Sequence, residues 1–127
     1  MQKARVQVWF DLADCSATEL LAHYRSGVAS PVEATKAALA RIDRLNPVLN
    51  AFCVVDPESA LRSAAASEAR WKAGAPAGDL DGVPVSIKDL ILTRGWPTLR
   101  GSWTVDPKQP WDVDAPVTAR LREAGAV

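Results

Sequence analysis

The alternation of polar and apolar positions near the N-terminus predicts two helices in series. Ser16 is followed three residues later by Glu19, which is a capping-box pattern ahead of the apolar segment LLAHYRS, and Gly27 is placed to end that helix. Ser30 and Glu33 repeat the pattern ahead of a second helix, with a proline at its first position. Both helix starts are therefore expected to be fixed by their own side chains.

The second helix is expected to run from Pro31 to the neighbourhood of Pro47. The helical period places Lys36, Arg41 and Arg44 on the solvent side. The opposite face is predicted to bury an apolar stripe that comprises Val32, Ala37, Ala40, Ile42 and Leu45 or a close variant of it.

A short strand and a third helix are predicted next. Residues 50–56, NAFCVVD, are partly β-branched and are typical of a strand. Pro57 then opens an alanine-rich helix that ends at Gly74, and residues 75–82, APAGDLDG, have the composition of a loop.

Residues 82–88, GVPVSIK, form an apolar run that ends in a lysine. Strand alternation places Ser86 and Lys88 on the face opposite Val83 and Val85, and it turns Asp89 away from Lys88. A lysine at a strand end is usually a solvent-facing residue. The alternative is a lysine that acts as a base, which requires a closed pocket that removes its proton by desolvation.

The last helix is predicted over APVTARLREAGA, with Asp114 as its N-cap. The residues AGAV after it have the pattern of a lead into another strand, since a helix followed by such residues normally returns to a sheet. We therefore expect residues 1–127 to be the N-terminal portion of a single domain that is truncated at its C-terminus.

Composition restricts the setting of the protein. The 127 residues include 15 basic and 15 acidic ones without a run of either sign, so neither nucleic acid nor a membrane is expected as a partner. Cys15 and Cys53 match no metal-ligand or redox spacing, which favours a reducing compartment. The N-terminal MQKARVQVWF lacks the apolar core of a signal peptide, and the expected location is the cytoplasm.

Three segments resemble the amidase signature family: GVPVSIKDL, TRGWPTLRGS and DVDAPVTARLREAGAV. The similarity extends back to SPVEATKAALARIDRLNPVLNAF and so covers nearly the whole chain. It implies an α/β fold in which helices, abundant in the first half, cover a mixed sheet. It also implies hydrolysis of a carboxamide C–N bond without metal or cofactor, in which Lys88 is the catalytic lysine of a Ser-Ser-Lys triad that forms an acyl-enzyme.

The chain departs from the family pattern in two respects. The Gly/Ser-rich segment that supplies both serines of the triad does not occur before Val127, and Ser86 and Ser102 are interpreted as structural residues. Leu90 and Leu99 stand where the A subunits of tRNA-dependent amidotransferases usually carry Asn and Thr, which favours a free-standing amidase acting on a small-molecule amide. Such a subunit, which releases ammonia from glutamine, and a non-catalytic interaction module derived from the fold remain the alternatives.

Other conspicuous residues have mainly structural interpretations. Trp96, Trp103 and Trp111 line an apolar substrate pocket or cover the end of the sheet, and the second interpretation is preferred. A metal role is not expected for His23, and Asp89, which accompanies the lysine in the family pattern, is expected to fix local backbone or neighbouring side chains. The chain alone is expected to be inactive, because the serines are missing, and to self-associate through the edges of an incomplete sheet.

Overall fold

The computed structural model describes residues 11–127, so the N-terminal segment considered above for a signal peptide lies outside the described part. A short 3-10 turn, Leu12–Asp14, precedes four helices. In chain order they are α1 (Ala17–Ser26), α2 (Pro31–Leu49), α3 (Pro57–Lys72) and α4 (Pro116–Glu123).

Both predicted capping boxes are confirmed. At the start of α1 the Ser16 hydroxyl accepts the Glu19 N–H at 3.3 Å, and the Glu19 carboxylate accepts the Ser16 N–H at 2.7 Å. The same pair of bonds joins Ser30 and Glu33 at 3.2 and 2.9 Å. Gly27 ends α1 in the left-handed conformation, as predicted. These bonds satisfy backbone donors that the first turn of a helix leaves free.

The predicted end of α2 and the strand after it are wrong. The helix continues past Pro47 to Leu49, and Asn50 caps it at φ 49°. The side-chain oxygen of Asn46 then accepts the N–H groups of Ala51 and Phe52 at 2.9 and 2.8 Å. The start of this segment is held by Asn46, and residues 50–56 pair with no strand within residues 11–127.

The predicted apolar stripe of α2 is not its buried face. The buried residues of α2 are Pro31, Ala34 and Thr35, whereas two residues of the stripe are exposed and the other three are half-buried. The buried positions of α2 lie in its first turns, and the helix packs mainly against α3 and the Leu12–Asp14 turn. The predicted solvent side holds in part: Lys36 and Arg44 are exposed, but Arg41 is half-buried and forms ion pairs with two aspartates, Asp11 and Asp14.

The third helix agrees with its prediction, beginning at Pro57 and ending at Lys72, two residues before Gly74. Residues 75–82 form turns without helix, as their composition indicates. They lead the chain from the end of α3 back into the core.

The core is small and lies between α1, α2 and the segment around residue 83. It contains Leu20, Tyr24, Ala34 and Val83. Trp71 of α3 packs at its border, with its ring centroid 5.9 Å from that of Tyr24 and the two planes tilted by 60°. This tilted arrangement is one that aromatic pairs favour.

No strand is assigned between residues 11 and 127, so the sheet expected for this fold is not confirmed there. Two segments nevertheless run side by side. Val127 donates its N–H to the Val83 carbonyl at 2.9 Å, and its own carbonyl accepts the Val85 N–H at 2.7 Å. In a pair of parallel strands, one residue bonds the two residues on either side of the residue opposite it. Val127 bonds residues 83 and 85 in this way.

The predicted cap of α4 is wrong. Ala115 occupies the N-cap position and makes no side-chain capping bond. The Asp114 carboxylate instead accepts the Arg94 N–H at 2.7 Å and pairs with Arg122 at 3.1 Å. Asp114 therefore joins α4 to the loop that follows Lys88 and leaves the first turn of α4 uncapped.

Candidate active site around Lys88

The segment that carries Lys88 is fixed to the helices at Gly82. The Tyr24 hydroxyl donates to the Gly82 carbonyl at 3.0 Å. Gly82 has φ +83°, and a β-carbon there would lie 2.6 Å from both the Pro31 ring and the Ser67 hydroxyl. Only glycine fits this close approach of three helices, so the start of the segment is held at one place.

Asp81, immediately before Gly82, is a fully buried carboxylate. It accepts Arg70 Nε at 2.9 Å and Arg70 Nη2 at 2.5 Å, and it also accepts the Ala77 N–H at 2.8 Å. Burial raises the pKa of Asp81, but the bonds from Arg70 and Ala77 outweigh it and hold the pKa below its usual value. The carboxylate therefore stays charged and ties α3 to the lysine segment.

Sequence reasoning missed this ion pair. Asp81 and Arg70 lie eleven residues apart, one in a polar loop and one in a helix, so no spacing rule joins them. The one available signal was the position of Asp81 directly before Gly82 and the apolar run that ends in Lys88.

Lys88 lies at a tight turn and its side chain is exposed. Its carbonyl accepts the N–H groups of Leu90 and Ile91 at 2.7 and 3.0 Å, which fixes the backbone directly after it. Within residues 11–127 the Lys88 ammonium forms no ion pair. The alternation of side chains predicts that Asp89 points away from it, and the two are not paired. The turn thus presents a cation without a carboxylate partner among the described residues.

The Asp89 carboxylate faces the loop that comes back past this turn. Its two oxygens accept the Leu99 N–H at 2.8 Å and the Gly101 N–H at 3.2 Å. Asp89 therefore fixes local backbone beside Lys88, as expected from the sequence. Arg100, between the two donors, has φ 58°, and Gly101 has φ 62°.

Two buried threonines brace the loop from inside. The hydroxyls of Thr93 and Thr98 donate to the Ile91 carbonyl at 3.3 and 3.4 Å. The Leu92 carbonyl accepts the Thr118 hydroxyl and the N–H of residue 115 at 3.0 and 2.9 Å. The turn after Lys88 is therefore attached to the first turn of α4.

The two serines near Lys88 differ in their surroundings. Ser102 accepts the Thr104 N–H at 3.2 Å and bonds the Thr104 hydroxyl at 2.8 Å, so it holds its own loop as predicted. Ser86 is exposed and lies two residues before Lys88. Among the described residues, neither serine is bonded to a base that would activate it as a nucleophile.

The three tryptophans divide into two groups. Trp96 donates to Asp56 at 3.3 Å and lies 5.7 Å from the Arg122 guanidinium, and Trp111 donates to the carbonyl of residue 107 at 3.0 Å. Both are half-buried, in agreement with a structural role. Trp103 is fully exposed and does not share that role in this part of the chain.

Metal ligation and membrane insertion have no support in the described part of the chain. No group of three or more His, Cys, Asp or Glu side chains within residues 11–127 is arranged to hold a metal ion. Over the same residues, no helix has the length and hydropathy needed to cross a bilayer. The Lys88 amine can transfer a proton or supply a positive charge. Between residues 11 and 127 no activated nucleophile accompanies it.

Comparison with known proteins identifies the class. The Amidase family model matches residues 33–127, and the chain belongs to this family, whose members carry the amidase signature.

Among curated relatives, the A subunit of the glutamyl-tRNA(Gln) amidotransferase of Myxococcus xanthus is 46% identical over 114 residues, which is 90% of this chain and 23% of that protein. The native peptide amidase of Stenotrophomonas maltophilia is 33% identical with a TM-score of 0.79, over 91% of this chain and 24% of that one. An inhibitor-bound vestigial complex related to an s-triazine catabolic enzyme gives a TM-score of 0.83 at 32% identity, over 89% and 25%. The chain therefore spans about a quarter of the length of these relatives.

Proposed function

We propose that this chain is the N-terminal portion of an enzyme that hydrolyses a carboxamide C–N bond, and that Lys88 is its catalytic lysine. The observation that carries the proposal is the placement of Lys88. It is a cation with no carboxylate partner among residues 11–127, at the end of a segment anchored by Gly82, on a turn that Asp89 and the threonines brace. Membership of the amidase family supports the reaction class.

The proposed mechanism uses two serines from a Gly/Ser-rich segment beyond Val127. The neutral Lys88 amine takes a proton from a bridging serine, which takes the proton of the nucleophilic serine as that oxygen attacks the amide carbon. Backbone N–H groups stabilise the oxyanion, the protonated Lys88 returns its proton through the bridging serine to the leaving nitrogen, the C–N bond breaks, and an ester remains. Water then cleaves the ester and restores the serine.

This mechanism requires Lys88 to be covered in the complete enzyme. Burial in a low-dielectric pocket disfavours the charged form of a lysine, and a lysine base needs such a pocket. The turn exposes Lys88 in the present chain, and the proposal assigns the cover to the part of the enzyme that the relatives have in addition.

A second candidate names glutamine as the amide. It is favoured by the relatives, since the amidotransferase A subunits of Myxococcus xanthus and Salinispora arenicola are 46% and 43% identical to this chain. Against it stand Leu90 and Leu99, at positions where the sequence pattern of such subunits differs. Ammonia release from glutamine would use Lys88 in the same way. The enzyme would then also need the other subunits of an amidotransferase.

A chimera tests the role of Lys88. Residues 11–127 replace the matching segment of the Myxococcus xanthus protein, and ammonia release is measured from simple aliphatic and aromatic amides and from glutamine. Lys88→Ala is expected to lower kcat by several orders of magnitude with the fold intact, because the serines lose their route for the proton. Lys88→Arg is expected to be nearly as inactive, since a guanidinium stays protonated.

Lys36→Ala is the matched control, because Lys36 is an exposed lysine on α2. It should leave kcat unchanged. Turnover by Lys88→Ala within tenfold of the parent chimera would refute the assignment of Lys88.

A further inference from the structure

The loop opposite Lys88 has a backbone shape that its own sequence does not favour. Arg100 and Gly101 both have left-handed φ values, 58° and 62°. Glycine adopts this conformation freely, but for arginine it brings the β-carbon close to the backbone and is uncommon. A residue held in such a conformation needs an external restraint, and such restraints concentrate at functional sites.

Two restraints hold Arg100. The Ser102 N–H bonds the Leu99 carbonyl at 2.9 Å and closes a turn around Arg100 and Gly101, and Asp89 ties that turn to the residue after Lys88. The Asp89 carboxylate accepts the N–H groups on either side of Arg100, at 2.8 Å from Leu99 and 3.2 Å from Gly101. These bonds span ten and twelve residues, so they close the loop onto the residue directly after Lys88. Bonds from N–H groups to an ionised carboxylate are stronger than those to a neutral acceptor.

The Lys88 backbone is fixed by the same turn. Its carbonyl accepts the Leu90 and Ile91 N–H groups, so Asp89 lies inside a tight turn whose two ends cannot shift independently. The Thr98 hydroxyl adds a bond from the returning loop to the Ile91 carbonyl at 3.4 Å. Removal of the Asp89 carboxylate would release residues 99–101 from the turn at Lys88. The long Thr98 bond to the Ile91 carbonyl would then be the link that remains within the described part of the chain.

We infer that Asp89 is a positioning residue for Lys88: its carboxylate clamps Arg100 in the left-handed conformation and thereby sets the geometry between the lysine turn and the 99–101 loop. The inference rests on the proposed catalytic role of Lys88. It adds that catalysis depends on the Asp89 carboxylate, although the proton of the serine goes to Lys88 and not to Asp89.

The first test measures the clamp in this chain without reference to activity. Amide hydrogen exchange is followed by NMR in the parent and in Asp89→Ala. The N–H groups of Leu99 and Gly101 should exchange at least about tenfold faster in the variant, while the Ala34 N–H, which bonds Ser30 in α2, should be unchanged. Unchanged exchange at Leu99 and Gly101 would overturn the inference.

Asp106→Ala is the matched control for this measurement. The Asp106 carboxylate also accepts a backbone N–H, from Lys108 at 2.8 Å, but that bond spans only two residues. Its loss should not alter exchange at Leu99 or Gly101. If it accelerates both as much as Asp89→Ala does, the loop is loosened by any lost aspartate and the specific clamp is refuted.

The second test uses kinetics in the chimera described above. Asp89→Ala should lower kcat at least about tenfold with KM within about threefold, because the lysine is misplaced while the substrate still binds. Adding Arg100→Gly should restore kcat by at least about threefold, since glycine adopts the left-handed conformation without the clamp. A merely stabilising aspartate would not be rescued at this site.

Two results would contradict the positioning role. If Asp89→Ala keeps kcat within twofold, the clamp has no bearing on Lys88, and the proposed function stands because Lys88→Ala alone decides it. If kcat falls and Arg100→Gly gives no recovery, Asp89 acts in another way. Should Asp89→Ala fail to fold, Asp89→Asn replaces it, because its amide oxygen can keep one of the two bonds.

Discussion

Asp81 carries its charge on a fully buried side chain, while its partner Arg70 remains 35% exposed. A carboxylate in that position is held by its partners alone, since desolvation opposes its ionisation. The same residue precedes Gly82, to which the Tyr24 hydroxyl is bonded. At the scale of single residues, the lysine segment therefore begins at two adjacent constraints: the ion pair of Asp81 and the close packing at Gly82.

Replacing Asp81 by alanine should strongly destabilise the chain. The change leaves a half-buried guanidinium without its carboxylate, and we expect the free energy of unfolding to fall by about 3 kcal/mol, at the lower end for a broken buried pair because Arg70 can reach water. Urea unfolding gives the value. The control Glu58→Ala breaks the exposed Arg62 pair on α3 and should cost under about 0.5 kcal/mol.

The Asp81 contribution should also depend on pH in a defined direction. The pKa of Asp81 in the fold lies below its ordinary value of 3.8, so the stabilisation is fully present above that pH and is lost as the pH falls through the lower, folded value. Asp81→Asn cannot titrate there. Urea midpoints of parent and variant should therefore converge as the medium is acidified below pH 3.8, and a constant difference would contradict the assignment.

At the scale of elements, the helices were predictable and their packing was not. Ser16 and Ser30 mark helix starts because the capping bonds are local, and local rules identify them correctly. The buried face of α2 depends on where α3 and the Leu12–Asp14 turn pack, which no helical period contains. Asp114 likewise follows the rule for an N-cap, but Arg94 and Arg122 compete for its carboxylate.

The strand predicted over residues 50–56 is absent and the one that ends at Lys88 is not confirmed, for a related reason. A strand is defined by its neighbour, and within residues 11–127 the segment after Gly82 has only Val127 beside it, bonded through residues 83 and 85. Lys88 was singled out from sequence because a family pattern marks it. The clamp at Asp89 was foreseen only as local support, because the conformation of Arg100 appears in no sequence pattern.

Gly82 joins three helices to the lysine segment, and its replacement tests that junction. Gly82→Ala should destabilise the chain far more than Gly74→Ala. Both glycines have positive φ, 83° and 68°, so the backbone penalty of about 1 kcal/mol is shared. A β-carbon at residue 82 meets Pro31 and Ser67 at 2.6 Å, whereas nothing lies within 4 Å at residue 74.

The difference between the two unfolding free energies isolates the steric cost of the junction. We expect it to exceed about 2 kcal/mol, as is typical of overpacked sites. Equal destabilisation by the two alanines would mean that the helices yield at Gly82 and that the junction is not rigid.

At the scale of the whole molecule, the chain holds one part of a proposed catalytic apparatus. Lys88 is present and exposed, the two nearby serines have no activating base among the described residues, and the chain spans about a quarter of its relatives. Several apolar side chains also face solvent, among them Val48 at 85% and Leu49 at 64% exposure. Chemistry and packing both agree with the proposal that further residues complete the enzyme.

The purified chain should therefore have no amidase activity. Catalysis by the proposed triad needs a nucleophile, a proton carrier and oxyanion donors that these residues do not bring together. Hydrolysis of a panel of aliphatic and aromatic amides, together with a serine-directed fluorophosphonate probe, measures this. Stoichiometric labelling of Ser86 or Ser102 with turnover would reveal a nucleophile and overturn the expectation.

The purified chain should also self-associate. The exposed apolar end of α2 and the partly paired 82–85 segment offer surfaces that a second copy can cover. Light scattering at tens of micromolar should give a mass above that of one chain, 13.6 kDa. A compact monomer at that concentration would favour the interaction module over a truncated sheet.

Hydrogen bonds hold the loop after Lys88 at several residues, and they determine where related sequences can differ in length. Gly95 donates to the Trp111 carbonyl at 2.8 Å and Arg94 donates to Asp114, while Asp89 holds residues 99 and 101. Residues 103–110 therefore span two fixed points. Doubling such a loop costs only about 0.6 kcal/mol of chain entropy. Insertions can accumulate in this loop while the bonds that join the turn after Lys88 to α4 stay the same.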